Sequence, residues 1–152
     1  VDAMLETSDN YVVIYPNNDH GTEIIIKEFD RLKNHKRFKV FPSIRFEHFL
    51  TLIKKCQYML GNSSAGVREA PFYGLPSINL GTRQHGRSSA ESIFHCNESK
   101  SEIITMIGLA KKSKFKPSQE FGDGNSDFLF VEALTKKRVW LTSKQKKFND
   151  IF

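Results

Sequence analysis

The chain has 152 residues, of which 39% are hydrophobic and 13 are Phe, so it can bury the core of one ordinary domain. It contains no apolar run near the roughly 20 residues that a membrane-spanning helix requires, and it does not open with a signal peptide. We therefore expect a cytoplasmic protein without a membrane partner. Because the chain lacks an initiator Met and opens in the pattern of a helix, we also expect it to be part of a longer protein.

The formal net charge of +6 is compatible with either a nucleic acid or a small anionic ligand. Six of the 23 basic residues lie near the C-terminus: Lys136, Lys137, Arg138, Lys144, Lys146 and Lys147. They lack the interleaved aromatic residues of an RNA-binding surface, so we expect a solvated basic tail or helix over residues 138–152 and no nucleic-acid partner. A nucleotide diphosphate is the kind of small anion that this charge favours.

Short apolar runs alternate with segments of helical periodicity, a pattern that predicts a Rossmann-like α/β fold with a parallel sheet and helices on both faces. The predicted strands are residues 11–15, 38–41, 58–61 and 76–80. The predicted helices start near residues 22, 46, 64 and 100, and a last packed helix follows the turn at residues 122–125. Together these elements predict one domain over residues 1–137. In such sheets ligands bind beyond the carboxyl ends of the strands, which directs attention to the loops there.

The loop after the third predicted strand, residues 61–69, combines small residues with the start of a helix. Its exposed N–H groups and the hydroxyls of Ser63 and Ser64 could donate to phosphate oxygens, and Gly66 would let a ligand approach closely. Glu69 would repel a phosphate, but it could accept hydrogen bonds from both hydroxyls of a ribose. An ordinary Ser or Asn cap on a packed helix explains the same residues equally well.

Two other loops have an unusual composition. Arg83 and Arg87 lie beside two glycines just past the fourth strand and would form a diphosphate clamp, unless they are solvated or paired with Glu91. Asn17 follows the first strand in a polar loop, where it could contact a base, a ribose or a phosphate, or simply cap the next helix.

The chain offers few groups for catalysis. Its five His residues are scattered, and no Ser, Cys or Lys stands in a recognisable nucleophile setting. Cys56 and Cys96 lie far apart without metal-ligand spacing, which predicts free thiols and no metal site. We expect no catalytic residue within this chain.

Four motifs, in order and at compatible spacing, resemble the hydrolysing UDP-N-acetylglucosamine 2-epimerases of sialic-acid pathways. They are residues 15–21 (YPNNDHG), 61–69 (GNSSAGVRE), 73–87 (YGLPSINLGTRQHGR) and 122–125 (GDGN). The resemblance covers roughly residues 5–137. The position of His85 is more usually aliphatic in that family, and the basic residues beyond Lys137 have no counterpart.

The resemblance implies the C-terminal half of a two-domain, glycosyltransferase-B-like enzyme that holds UDP or UDP-N-acetylglucosamine in its cleft. Carried over by position, the nucleotide contacts would be Asn17, the backbone near Ile44 for uracil, Ser63 and Ser64 for phosphate with Gly66 beside them, Glu69 for ribose and Arg83 for the diphosphate. It further implies that the enzyme eliminates UDP to give a 2-acetamidoglucal, hydrates this to N-acetylmannosamine, and needs no cofactor. The catalytic carboxylates would lie in a missing N-terminal domain, and a catalytic histidine would lie upstream of the first strand of this chain. The full-length protein would form a homo-oligomer.

Two other functions remain open on sequence grounds. One is a stand-alone UDP-sugar-binding module, and the other is half of a glycosyltransferase that shares the same architecture. The loop at residues 82–87 (TRQHGR) argues against the glycosyltransferase and, within the resemblance, favours the hydrolysing branch.

Overall fold

The computed structural model describes residues 1–145, and the chain divides into a compact unit of residues 1–120 and a second unit that begins at Phe121. The first unit holds every strand that the described residues form, and all of the strand pairings are parallel. The predicted Rossmann-like α/β fold is therefore confirmed. The predicted domain limit at residue 137 stays a prediction.

Five strands carry the site-bearing loops. They are β1 (Tyr11–Ile14), β2 (Phe38–Phe41), β3 (Met59–Gly61), β4 (Ser77–Leu80) and β5 (Ile93–Cys96). The first four occupy the predicted positions, whereas β5 was not predicted. A four-residue run that includes a polar His95 is too short for its periodicity to distinguish it from a loop.

The helices follow the predicted alternation with strands. They are α1 (Asp2–Glu6), α2 (Thr22–Asp30), α3 (Phe46–Lys55), α4 (Glu69–Phe72) and α5 (Lys100–Lys112) in the first unit, and α6 (Ser126–Thr135) and α7 (Lys137–Leu141) in the second. The helix predicted to start near Ser64 is instead a 3-10 turn over Ser64–Gly66 followed by the short α4. Gly66, Pro71 and Gly74 are poor helix formers, which accounts for the interruption.

The strands form two sheets instead of one continuous sheet. β1 pairs with β2, and β4 lies between β3 and β5. Side chains at the amino ends of β1 and β3 connect the two sheets, since the Tyr58 hydroxyl donates to Asp9 Oδ2 at 2.9 Å and lies 2.8 Å from the Tyr11 hydroxyl. Lys111 of α5 forms an ion pair with the same Asp9. Burial, together with these hydrogen bonds, raises the pKa of Tyr58, so its hydroxyl stays protonated.

Helices cover both faces of the three-stranded sheet. Ile78 of β4 packs against Ile107 of α5 on one face. Ser77, whose side chain points to the opposite face, lies under the 3-10 turn at Gly66. The two-stranded sheet has its own core, in which Val13, Leu32 and Phe38 are buried among side chains of α1 and α2.

The second unit is apolar but exposed. Its large exposed side chains are Phe121, Phe128, Leu129, Phe130, Val131, Leu134, Val139, Trp140 and Leu141. The prediction that α6 is a packed helix is therefore wrong for this chain, although Asn125 does occupy the predicted N-cap position, without a side-chain capping bond. Part of the predicted basic tail forms α7, and its residues 146–152 lie outside the described residues. Among residues 1–145, no helix is long and apolar enough to cross a membrane.

Candidate functional site

Asn17 lies in the loop that leaves the carboxyl end of β1. Its carbonyl accepts a hydrogen bond from the buried Thr22 hydroxyl at 2.6 Å, and Gly21, with a φ of 86°, starts α2 in a left-handed conformation. The start of the helix thus holds the backbone of the loop. The side chain of Asn17 is exposed and available to a ligand.

The turn between β3 and α4 presents backbone and hydroxyl donors. The Ser63 Oγ accepts a hydrogen bond from the Ala65 N–H at 3.3 Å and caps the 3-10 turn, as the alternative interpretation of this segment expects. The N–H groups of Ser63 and Ser64 donate to no other residue within residues 1–145. Both side chains are exposed, so the turn combines its capping role with donors directed at solvent.

Glu69, the first residue of α4, has a buried carboxylate oxygen without a partner. No donor reaches its Oε2 within the described residues, although the atom is shielded from solvent. Buried polar atoms are nearly always hydrogen-bonded, and a shielded carboxylate oxygen without a donor is unfavourable. Such an atom suits a ligand that brings hydroxyl donors of its own.

Gly66 has a structural explanation that the sequence did not reveal. It is buried, and a Cβ at this position would lie 2.6 Å from the Ser77 Oγ of β4. Glycine is therefore required for the close packing of the turn on the strand. A contact between Gly66 and the nucleotide stays a prediction.

Arg83 lies in the loop after β4, opposite the Asn17 loop. Its Nη2 is 3.6 Å from Asp19 Oδ2, and both side chains are exposed. An exposed ion pair at this distance contributes little, so a more highly charged anion can displace the carboxylate. The pairing with Glu91 that the sequence left open does not occur for Arg83.

Gln84 connects the loop after β4 to the turn after β3. Only 2% of the residue is exposed. Its Nε2 donates to the Asn62 carbonyl at 2.9 Å, and its Oε1 accepts from Arg87 Nη1 at 3.2 Å. The predicted serines, Arg83 and Asn17 thus lie in three loops at the carboxyl ends of the strands. The loop after β4 contacts the other two, through the bond of Gln84 to Asn62 and the ion pair of Arg83. Glu69 follows the serines at the start of α4.

Ile44 lies apart from this group. It borders an apolar cavity of about 570 Å³ between the outer face of the two-stranded sheet and α3. The other lining residues are Val12, Lys39, Phe41, Ser43, Arg45, His48, Thr51 and Leu52. None of the other predicted contact residues lines this cavity, so the uracil contact near Ile44 stays a prediction.

The buried side-chain amide of Asn79, in β4, holds the start of the loop after β4 by a hydrogen bond. Asn79 is 1% exposed, and its Nδ2 donates to the Gly81 carbonyl at 3.3 Å and lies 3.1 Å from Nδ1 of His95. Because the Gly81 carbonyl requires a donor, the orientation of the amide is fixed, and His95 Nδ1 must act as an acceptor. Burial and the neighbouring His85, whose ring centroid is 4.4 Å away, lower the pKa of His95 and keep it neutral.

Sequence reasoning missed Gln84, Asn79 and His95. A signal was present for Asn79, because a polar residue inside a strand predicted to be buried requires a partner. Nothing in the sequence alone pairs Gln84 with a carbonyl 22 positions away. Within residues 1–145, the structure brings together no group of three or more His, Cys, Asp and Glu side chains that could hold a metal ion.

Comparison with known proteins identifies the family of this chain. The sequence model of the family described as UDP-N-acetylglucosamine 2-epimerase matches residues 1–135. The chain is 44% identical over 153 residues to the UDP-N-acetylglucosamine 2-epimerase of Neisseria meningitidis, with 98% of this chain and 40% of that protein covered. It is 26% identical over 155 residues to a polysialic acid biosynthesis protein of Escherichia coli, with 99% and 39% covered.

A third relative is the UDP-N,N'-diacetylbacillosamine 2-epimerase (hydrolyzing) of Legionella pneumophila, which is 28% identical over 127 residues, with 83% of this chain and 34% of that protein covered. The chain thus spans two fifths or less of the length of these relatives. The family model nevertheless covers both sheets and all three site loops. The chain belongs to the UDP-N-acetylglucosamine 2-epimerase family.

Proposed function

We propose that this chain is the UDP-binding part of a hydrolysing UDP-N-acetylglucosamine 2-epimerase. The complete enzyme would eliminate UDP from UDP-N-acetylglucosamine and then add water, which gives N-acetylmannosamine and free UDP. The chain by itself would bind the nucleotide without turnover. Membership of the epimerase family favours this function over half of a glycosyltransferase.

The observation that carries the proposal is the shielded, unpartnered Oε2 of Glu69. The two hydroxyls of a ribose would supply the donors that this carboxylate lacks. Charge-assisted hydrogen bonds of this kind are stronger than neutral ones, and they discriminate ribose from deoxyribose. A carboxylate in this place would exclude a phosphate, so the ribose and diphosphate must occupy separate parts of the site.

The diphosphate would lie between the turn after β3 and the loop after β4. The unpaired N–H groups of Ser63 and Ser64 suit phosphate oxygens, and their hydroxyls can donate to the same ligand. Arg83 can exchange Asp19 for a phosphate. When the bond between the sugar C1 and the phosphate oxygen breaks, negative charge grows on the departing UDP. Donors fixed in these two loops would stabilise that charge more strongly than they stabilise the bound substrate.

The hydrolysing reaction is supported by the TRQHGR loop at residues 82–87 and by the Legionella relative, which is named as a hydrolyzing epimerase. The acid and base that remove and return protons would belong to the part of the protein outside this chain. The homo-oligomeric state and the cytoplasmic location of the full-length enzyme stay predictions.

Calorimetric titration of this chain with UDP, UMP and ADP tests the proposal. We expect UDP to bind more tightly than UMP, because the second phosphate reaches Arg83, and more tightly than ADP, because the site selects uracil. Binding should be weak, since half of a cleft leaves much of the ligand solvated. Equal affinity for UDP and UMP, or rapid release of UDP from UDP-N-acetylglucosamine by the purified chain, would contradict the proposal.

A further inference from the structure

The peptide between Asn62 and Ser63 lies at the entrance of the proposed phosphate site, and a single side chain holds its carbonyl oxygen. Nε2 of Gln84 donates to the Asn62 carbonyl at 2.9 Å, and no other group within residues 1–145 bonds to that oxygen. Asn62 and Ser63 are themselves exposed, so packing does not fix this peptide. Gln84 is almost fully buried and cannot easily follow a moving loop.

We infer that Gln84 is a positioning residue that aims the Ser63 N–H at the bound diphosphate. A peptide group is planar, and its carbonyl and N–H point in opposite directions. Fixing the Asn62 carbonyl toward Gln84 therefore fixes the Ser63 N–H on the far side. That N–H is one of the donors that remain unpaired in the turn.

The oxygen of the Gln84 amide is bonded within its own loop, the one after β4 that also carries Arg83. Its Oε1 accepts from Arg87 Nη1 at 3.2 Å, only four positions from Arg83 in the chain. A buried amide is unfavourable unless it is hydrogen-bonded, so an apolar side chain would fill the same space at lower cost. The amide instead connects two loops that carry opposite sides of the proposed diphosphate site. This inference rests on the proposed function.

Two substitutions separate positioning from simple packing. Gln84→Met keeps the length of the side chain but removes both hydrogen bonds, and Gln84→Leu removes them with a shorter apolar side chain. Neither variant places a new charge beside the diphosphate. Gln119→Met, at an exposed position of the same unit, is the matched control. Dissociation constants for UDP and for uridine are measured by NMR titration, and folding is checked by circular dichroism and thermal unfolding.

We expect both Gln84 variants to bind UDP about three- to tenfold more weakly than the parent, as the loss of one oriented hydrogen bond predicts. Uridine, which has no phosphate, should bind all four proteins within about twofold, since only the phosphate donors are misaligned. The ratio of UDP affinity to uridine affinity is thus the discriminating quantity. A merely structural role would lower both affinities by the same factor.

Each other outcome is decisive. Unchanged UDP affinity in a folded Gln84→Met or Gln84→Leu variant, or an equal loss for UDP and uridine, would overturn the positioning role. If Gln84→Met fails to fold, the smaller Gln84→Leu variant decides the question, because it also lacks both hydrogen bonds and is also neutral. Failure of the parent chain to bind UDP would instead refute the proposed function itself.

Discussion

The substitution Glu69→Gln tests the ribose contact with little change of shape. In the ligand-free chain it replaces a shielded, unpartnered carboxylate oxygen by a neutral amide. Because a buried charge without a donor is unfavourable, the free energy of unfolding should stay the same or rise. Affinity for UDP should fall. This combination of retained stability and lost binding is not expected of a residue that only supports the helix.

The size of the loss follows from the bonds that are weakened. Hydrogen bonds to a charged partner contribute about 1.5–3 kcal/mol, so Glu69→Gln should weaken UDP binding by about 10- to 150-fold. The 2′,3′-dideoxy analogue of UDP should bind the parent more weakly by a similar factor. Loss of the ribose hydroxyls should matter much less once Glu69 is replaced, because both changes remove the same interaction.

Calorimetric titrations of UDP and its dideoxy analogue, on the parent and the variants, measure this coupling. Ser63→Ala should lower affinity for UDP but leave the preference for ribose over deoxyribose intact. Glu28→Gln, an exposed change in the last turn of α2, is the control and should alter every affinity by less than about 0.5 kcal/mol. Additive losses for Glu69→Gln and the dideoxy ligand would rule out the ribose contact.

Three further predictions concern stability and association. Because the fold lowers the pKa of His95, the free energy of unfolding should be highest above pH 6.5, the ordinary pKa of His, and should fall at lower pH. Urea unfolding between pH 8 and 5 should show this fall, and His95→Gln should make it smaller. Gly66→Ala should lower the free energy of unfolding by about 1–3 kcal/mol in urea unfolding. Ser77→Gly in the same chain should restore much of this loss, because it removes the oxygen that the new Cβ would contact. A double variant as unstable as Gly66→Ala would refute this packing explanation. Phe128→Gln together with Phe130→Gln should reduce dye binding and concentration-dependent light scattering without lowering the unfolding midpoint, because both rings are exposed, and unchanged scattering would contradict this.

The sequence predicted those parts of the fold that depend on local pattern. Strands β1 to β4 and helices α2, α3 and α5 lie where alternating apolar runs and helical stripes predicted them. The Asn17, Ser63 and Arg83 loops also follow the carboxyl ends of parallel strands, because that placement depends only on strand order.

Features that depend on contacts distant in sequence were not predictable. The donor of Gln84 and the Asn62 carbonyl lie in different loops, and no local pattern pairs them. The explanation of Gly66 requires the position of Ser77 in a neighbouring strand. The exposure of α6 was mispredicted because an apolar helix is expected to be packed, and its pattern does not identify what would cover it.

The division of the strands into two sheets gives nucleotide binding a mechanical consequence. Asn17 extends from one sheet, whereas Ser63 and Arg83 extend from the other. The tyrosine hydroxyls connect the sheets at the amino ends, and the exposed ion pair of Arg83 with Asp19 connects their loops at the carboxyl ends. A ligand held by all three residues would replace this weak, exposed ion pair with a stronger crosslink between the sheets. Hydrogen exchange of the slow amides would then report separate opening of β1 and β3 in the free chain, and opening of both strands together in the complex.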